Sequence, residues 1–562
     1  MSIGRLARTL WELDPRQVIG RAGFRARRAF WPAVEALPHV PTRVPPLERR
    51  DALPATCPLD DADLDLLREG LLPLAGHESP LPLEAPFVPE ERDPLYRYQL
   101  HEQGWLREAM SRAPDLRHGL SSWLDRYLAT RFEPRSLALD PYPLATRLRE
   151  HQGLVQLGLV APERLAQSFA DGTRLLLGLS ETHLLANHLL RDRAALVVGA
   201  AWVGGSLGPR LRAHALAAFA AECDAQIDPE GMHEERCPSY HAHALGDLLF
   251  ALEAIETFER SAERDRAREQ VRAHAERALG ALEVVTHADD AVAAFGDSAP
   301  RSTPRTSAMS AWARGLGLRA VSPAIHEAGV HRRSTLPRSG FSALRGERYD
   351  AFVTHGPFGA PSQPGHAHCD LFAFELDVRG RRIVVDPGVH AYHDPAARHA
   401  CRTGRAHATP ILEGPGLDTV EQAEIWSRFR CGWRPRSIEA QWQRDTLRCE
   451  ARAFGPHHAH TLRRTLHFEP WAVHVSDVIE GAAEVSTAIP LAPDLSATRV
   501  ATGAEVRDRS GTLVLDVRPR TPGTLEIEAA EVSHRFGART PATRLRLRGA
   551  GRVEYTLALP PQ

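Results

Sequence analysis

The spacing of the apolar residues changes once along this 562-residue chain, and that change constrains the fold more than any other feature. From about Tyr96 to Leu316 apolar positions recur every three or four residues, as in "PERLAQSFADGTRLLLGLS" and "PSYHAHALGDLLFALEAIETF". These stretches are rich in Ala and Leu, which favours helix, and short Gly, Pro or Asp segments part them. After about Gly340 the text alternates with period two between turn signals, as in "LFAFELDVRGRRIVVDPG" and "TRLRLRGAGRVEYTLALP". Runs of helices followed by runs of strands mean separate α and β domains, not an alternating α/β barrel. The expected division is a Pro-rich extension over residues 1–95 with one helix near its start, a helical domain over 96–325 and an antiparallel β domain over 326–562.

The basic residues narrow the function. All 69 are arginine. A chain without lysine has no Schiff-base, Walker-A or kinase lysine, which excludes PLP enzymes, class-I aldolases, P-loop NTPases and protein kinases. A net charge of −2 argues against nucleic acid as the main partner. The seven cysteines are scattered without a CxxC, which suits a reducing compartment. The N-terminus lacks the apolar stretch of a signal peptide, and no segment reaches the roughly 18 apolar residues of a membrane span. The expected location is therefore cytoplasmic.

Chemistry concentrates in "QPGHAHCDLFAFEL". His366, His368 and Asp370 recur at every second position and lead into an apolar, strand-like run, so they are expected on one side of an extended chain. Asp386 ends the next predicted strand, and His390, Tyr392, His393, His399 and His407 follow closely. Imidazole and carboxylate together suit Zn²⁺ or another divalent ion, and His368, Asp386 and His407 would supply three ligands and leave a position for water. A simple hairpin centred on Arg379–Gly380 puts Asp386 opposite Ala373, so a shared metal requires a bend, a bulge or another register. In the helical part, Asn187 and His188 are expected in the middle of an apolar helix. Tyr240 follows Pro238, a good first helical residue, so it is expected in a first turn, where the positive helix end would favour a phenolate. Each of these residues, taken singly, has a structural explanation as well.

Jointly the motifs resemble the heparinase II/III-like polysaccharide lyases, which include alginate and oligoalginate lyases. The resemblance lies in "ANHLLRDRAALVVGAAWVGG", "GMHEERCPSYHAHALGDLL", "FGDSAP", the GHAHxD…DPG series and "CRTGRAHAT", in that order between about residues 100 and 430. It departs from the family pattern at Cys369, Ala373 and Ala408 and in the "CRTG" segment. The resemblance implies an N-terminal incomplete (α/α) toroid followed by a C-terminal antiparallel β-sandwich. It also implies cleavage of a uronic-acid glycoside by β-elimination. Asn187 and His188 would then face the substrate carboxylate. Tyr240 would transfer the proton with His366 as partner, and His368, Asp386 and His407 would hold a largely structural zinc.

Elimination removes the C5 proton beside an ionised carboxylate, whose charge has to be offset by preorganised donors such as Asn187 and His188. Asp192, four residues after His188, is placed to orient that imidazole on a regular helix. Arg236, Tyr392 and Arg402 are the candidates for sugar binding, with a salt-bridged or fold-capping role as the alternative for the arginines. The sequence leaves the split of acid and base between Tyr240 and His366 open. It also leaves open the oligomeric state, a homodimer among the options. The partner expected is a uronate-containing oligo- or polysaccharide. The rival readings are a non-catalytic glycan-binding or surface-polysaccharide biosynthesis protein, and a glycoside hydrolase on a similar helical scaffold.

Overall fold

The structure is a computed structural model that describes residues 3–30, 40–74, 79–362, 364–414, 420–455 and 459–560. Three helices open the described chain, α1 (Ile3–Glu12), α2 (Pro15–Phe30) and α3 (Asp61–Arg68), where the sequence leads one to expect one. A short hairpin of β1 (Leu71–Leu72) and β2 (Leu81–Pro82) follows. The main helical run comprises α4 (Pro94–Glu102), α5 (Gly104–Arg112), α6 (Arg117–Ala129), α7 (Pro141–Gln156) and α8 (Pro162–Leu179). It continues through α9 (Ala186–Ala200), α10 (Leu207–Gln226), α11 (Pro238–Glu256), α12 (Ala262–Val284) and α13 (Thr306–Gly315).

Local chemistry sets the helix starts. Pro occupies the first turn of α4, α7, α8 and α11, where a missing N–H costs nothing. Asp60 and Asp63 form a reciprocal capping box on α3. Helix α7 is buried along almost its whole length, packed against α4, α5, α8 and α9, so it is the hub of the helical part.

Beyond residue 320 the regular structure is almost entirely antiparallel strand. A six-stranded meander runs in sequence order: β3 (Ile325–Ala328), β4 (His331–Leu336), β5 (Phe341–Gly346), β6 (Tyr349–Thr354), β7 (Phe374–Val378) and β8 (Arg381–Val384). Its central strands β5, β6 and β7 are largely buried on both faces, as the period-two rule allows. Phe341, Ala343 and Phe352 join the helical core, while Leu344, Ala351 and Val353 join the core of the later strands. The short helix α14 (Pro395–Arg402) and β9 (Pro410–Glu413) follow.

The last strands are β10 (Arg436–Gln443), β11 (Thr446–Ala453), β12 (His460–Glu469), β13 (Ala472–Ile479), β14 (Glu484–Pro490) and β15 (Leu495–Val500). They end with β16 (Gly503–Asp508), β17 (Leu513–Pro519), β18 (Gly523–Arg535), β19 (Ala538–Gly549) and β20 (Arg552–Ala558). They form an eight-stranded sheet, ordered β10-β11-β12-β13-β20-β17-β16-β15, and a four-stranded sheet, β18-β19-β14-β9. No described helix is long and apolar enough to cross a membrane.

Three local expectations need correction. His366, His368 and Asp370 do not lie on a strand: a 3₁₀ turn over Pro364–His366 leads into irregular chain, and β7 starts only at Phe374. Phe372 has a φ of 66°, which ends any regular extended run before the strand. Asn187 and His188 sit at the start of α9, not in its middle, because Leu185 and Ala186 both take positive φ and break the helical text. The β7–β8 hairpin carries a bulge: Asp377 pairs with Arg382 but Leu376 pairs with Val384, so Ile383 is the extra residue.

Candidate active site

Residues from both parts of the chain line a cavity of about 820 Å³. Tyr142, Asn187, His188 and Tyr240 come from the helical part, and His366, Tyr392 and Phe429 from the β part. The cavity therefore brings together five of the candidate site residues read from the sequence, Asn187, His188, Tyr240, His366 and Tyr392, although up to 205 positions separate them along the chain.

Tyr240 occupies the first turn of α11, as its position after Pro238 predicts. Its ring stacks on that of His366 at 3.9 Å between centroids, and its hydroxyl lies 3.0 Å from the Tyr392 hydroxyl. Burial of that hydroxyl, together with Tyr392 and Tyr142 nearby, raises the Tyr240 pKa well above the ordinary phenol value. The helix end does not win here. At rest Tyr240 is a protonated phenol, not a phenolate.

Asp297 organises both histidines of the motif. His366 Nδ1 is 2.8 Å from Asp297 Oδ2, and His368 Nε2 is 2.7 Å from Asp297 Oδ1. Burial alone would raise the Asp297 pKa, but the Arg398 guanidinium and the bonds from the two histidines hold it well below the usual range. An ionised carboxylate only accepts, so His366 holds a proton on Nδ1 and leaves Nε2 turned away from Asp297, while His368 holds a proton on Nε2. Arg398 is buried and grips both Asp297 oxygens, with its Nη2 also donating to the Gly365 carbonyl at 2.8 Å. The "FGDSAP" loop and the histidine loop are tied at two further points. Asp297 N–H donates to His366 O and Gly296 N–H to Asp370 Oδ2, each at 3.0 Å. At φ 60°, Gly296 comes so close that a Cβ there would lie 2.8 Å from His366 O. Asp370 thus supports the loop that carries His366.

Glu235 links the remaining groups. Its Oε1 accepts the Asn187 N–H at 3.2 Å, and its buried Oε2 has no partner and lies 4.0 Å from His366 Nε2. Burial pushes Glu235 up to about 7. His188 Nδ1 bonds Glu181 Oε2 at 2.7 Å and its ring packs on Tyr142 at 4.3 Å. Asp192 does not orient His188 directly: fully buried, it accepts the Glu181 N–H at 2.7 Å and acts one step back.

Backbone strain surrounds these groups. Leu185 at φ 58° and ψ −154° lies in a region almost reserved for glycine, and Arg236, next to Glu235, has φ 53°.

The two arginines expected to bind sugar are engaged within the fold. Arg402 is buried and gives its guanidinium to the carbonyls of Ala367, Pro364, Ser427 and Arg428, the geometry of a brace. Arg236 donates to the Gly359 carbonyl at 2.5 Å and lies outside the main cavity. Tyr392 lines the cavity, with the Arg398 guanidinium 5.0 Å from its ring centre.

The proposed metal ligands lie behind His366. His407 Nδ1 is 2.6 Å from Asp386 Oδ2, its Nε2 is 3.0 Å from the Cys401 carbonyl, and its ring lies 5.2 Å from that of His368. Among the described residues no three such donors converge as they stand, because His407 turns to Asp386 and Cys401. The donor types nevertheless fit zinc. His368 is neutral, pushed down to about 3 chiefly by burial, and its buried Nδ1 has no partner. A buried imidazole lone pair whose other nitrogen is fixed by a carboxylate is the arrangement that zinc-ligating histidines use.

Residues 328–557 match the family described as Heparinase II/III-like, C-terminal. This part of the chain is similar to the C-terminal domain of heparinase II/III-like proteins. The fold as a whole is similar to the crystal structure of heparinase III, with a TM-score of 0.68 at 13% identity over 96% of this chain and 89% of that one. It is also similar to heparan sulfate lyase HepC from Pedobacter heparinus, with a TM-score of 0.54 at 17% identity over 96% and 88%. No curated protein matches the sequence. The heparinase II/III-like region supplies His366, His368, Asp386, Tyr392 and His407, while Asn187, His188, Glu235, Tyr240 and Asp297 reach the site from outside the matched residues.

Proposed function

We propose that this chain is a polysaccharide lyase that cleaves a uronic-acid glycoside by β-elimination and leaves a 4,5-unsaturated uronate. The observation that carries this reading is the Tyr240–His366 stack, a protonated phenol against an imidazole fixed by a carboxylate, in a cavity shared with Asn187 and His188. The names heparinase III and heparan sulfate lyase, carried by structures of this fold, point the same way.

The chemistry uses each group once. Asn187 and His188 donate to the uronate carboxylate and stabilise the enolate-like charge that builds there as C5 loses its proton. His366 Nε2 takes that proton. The C5–H electrons form the C4=C5 double bond, and the C4–O bond breaks. Tyr240, held as a phenol, gives its proton to the departing oxygen, and the Tyr392 hydroxyl 3.0 Å away steadies the phenolate formed. A glycoside hydrolase needs paired carboxylates roughly 5–10 Å apart, and Glu102 is the one acid among the described residues lining this cavity.

Zinc belongs to the same reading: His368, Asp386 and His407 would hold it, and it would tie their loops together rather than act on the sugar. In architecture, we read residues 96–325 as an incomplete (α/α) toroid and 326–562 as an antiparallel β-sandwich domain, with residues 1–95 as an extension. The serial packing of α7, α8, α9 and α10 and the paired sheets around one apolar core support this.

The test is ultraviolet absorbance during incubation with uronate polymers and oligosaccharides, since elimination creates a conjugated unsaturated uronate. A rise is expected with the native protein, reduced by about 10²-fold or more in Tyr240→Phe and in His366→Ala. A rise that survives both substitutions would remove these residues from the reaction. Binding without any rise would favour the non-catalytic glycan-binding alternative.

A further inference from the structure

The cavity is lopsided in charge. Its described lining holds eight arginines against the single acid Glu102. Four of the eight are already committed. Arg149 and Arg191 pair with Asp247, Arg535 pairs with Asp60 and Asp63, and Arg434 donates to the carbonyls of Ala360 and Pro361. The other four are Arg21 and Arg25, one turn apart on α2, and Arg428 and Arg430, in the chain between β9 and β10. All four are exposed, and no described acid pairs with any of them.

These charges crowd one another. Partial desolvation of its guanidinium lowers the Arg21 pKa, and Arg25 and Arg430 lower it further. Like charges four residues apart on a helix repel, and two more face them from the β part. The wall that carries them is nonetheless held in place. Arg8 forms two bonds to Glu424, Trp426 Nε1 donates to Thr9 Oγ1 at 3.0 Å, and Arg28 pairs with Asp140 at 2.5 Å. Phe24 packs on His183 with ring centres 4.4 Å apart. Between Arg428 and Arg430, the Phe429 ring lies 5.9 Å from that of His366 and 5.1 Å from that of Tyr392. The arginines therefore stand beside the Tyr240–His366 pair and outside it.

We infer that Arg21, Arg25, Arg428 and Arg430 form an anion subsite of the cavity, which takes a carboxylate or sulfate group on a sugar neighbouring the one that reacts. Guanidinium forks match both groups, and an uncompensated cluster at a fixed wall gains most from such a counter-charge. The inference rests on the carbohydrate reading of the cavity, and it names the substrate class as a chain with charge on adjacent sugars.

Calorimetric binding to the full chain carrying Tyr240→Phe separates it from turnover. Three oligosaccharides of one length serve as probes: one bearing carboxylates only, one bearing sulfates only and one uncharged. Combining Arg21→Ala, Arg25→Ala and Arg428→Ala is expected to weaken binding of the carboxylated or the sulfated probe by about tenfold or more, the equivalent of one hydrogen bond to a charged group. The uncharged probe should be unaffected, and the three Arg→Lys changes should restore part of the loss. Which charged probe responds identifies the anion. Native affinity for both charged probes in the triple variant overturns the subsite, as does failure of both to bind the parent protein. Should the triple variant lose its helical circular dichroism, the single changes Arg21→Ala and Arg428→Ala carry the comparison. A protein that binds charged sugars through these arginines but yields no unsaturated product would overturn the lyase reading and leave the subsite standing.

Discussion

Asp297 decides the proton positions on both histidines of the motif. Replacing it with Asn keeps the shape and removes the charge, so His366 is no longer obliged to hold its proton on Nδ1. Asp297→Asn is expected to lower kcat by about 10²-fold with little change in KM, and to shift the pH profile of kcat, as measured by steady-state kinetics. A merely structural role would change the amount of folded enzyme and leave the profile in place. The histidines were legible in the sequence because two imidazoles and a carboxylate share a short motif. Asp297 was not, since a lone acid 69 residues before His366 has no spacing to announce it. "FGDSAP" was visible only as part of a resemblance. Tyr240 was found through Pro238, but the direction of its pKa was not, because that direction comes from burial and from Tyr392, 152 residues away.

At the scale of elements, a buried ionic cluster joins the helical part to the meander. His287 follows α12 and bonds Asp377 at 2.7 Å and Glu375 at 2.8 Å, both on β7, with Arg382 of β8 beside them. Burial opposes the imidazolium and Arg382 adds to that, yet the two carboxylates outweigh them and raise the His287 pKa. A raised histidine pKa gives stability that is complete below the unfolded value of about 6.5 and is lost as pH rises through the folded value. Thermal unfolding across pH should therefore show a decline on the alkaline side of about 6.5 that His287→Gln lacks. The substitution itself is expected to cost roughly 3–5 kcal/mol below that pH, the usual result of removing one partner of a buried ion pair. An unchanged alkaline slope in the variant would assign the decline to other groups. The order of helices and strands was readable from periodicity alone. The start of α9 was not, because positive φ at Leu185 and Ala186 interrupts residues whose side chains all suit a helix.

For the molecule as a whole, the β part is where metal would matter. His368, Asp386 and His407 lie on three separate loops, and a zinc among them would cross-link those loops behind the cavity. Metal analysis of purified protein is expected to find about one zinc per chain. Chelation should lower the melting temperature while leaving the strand content seen by circular dichroism in place. Protein that contains no zinc and is indifferent to chelator would leave the His407–Asp386 hydrogen bond as the whole of that site.

The wall built by α1 and α2 has a consequence for how the protein is made. Arg8 waits for Glu424, Glu12 for Arg436, and Asp60 and Asp63 for Arg535. Synthesis runs from N- to C-terminus, at roughly 5–20 residues per second, so α1 emerges well before its partners in the β part exist. A nascent chain that ends between His366 and Glu424 would hold its reactive tyrosine and histidine but an open, unfastened flank. The residues of α1 are among the last to reach their final neighbours.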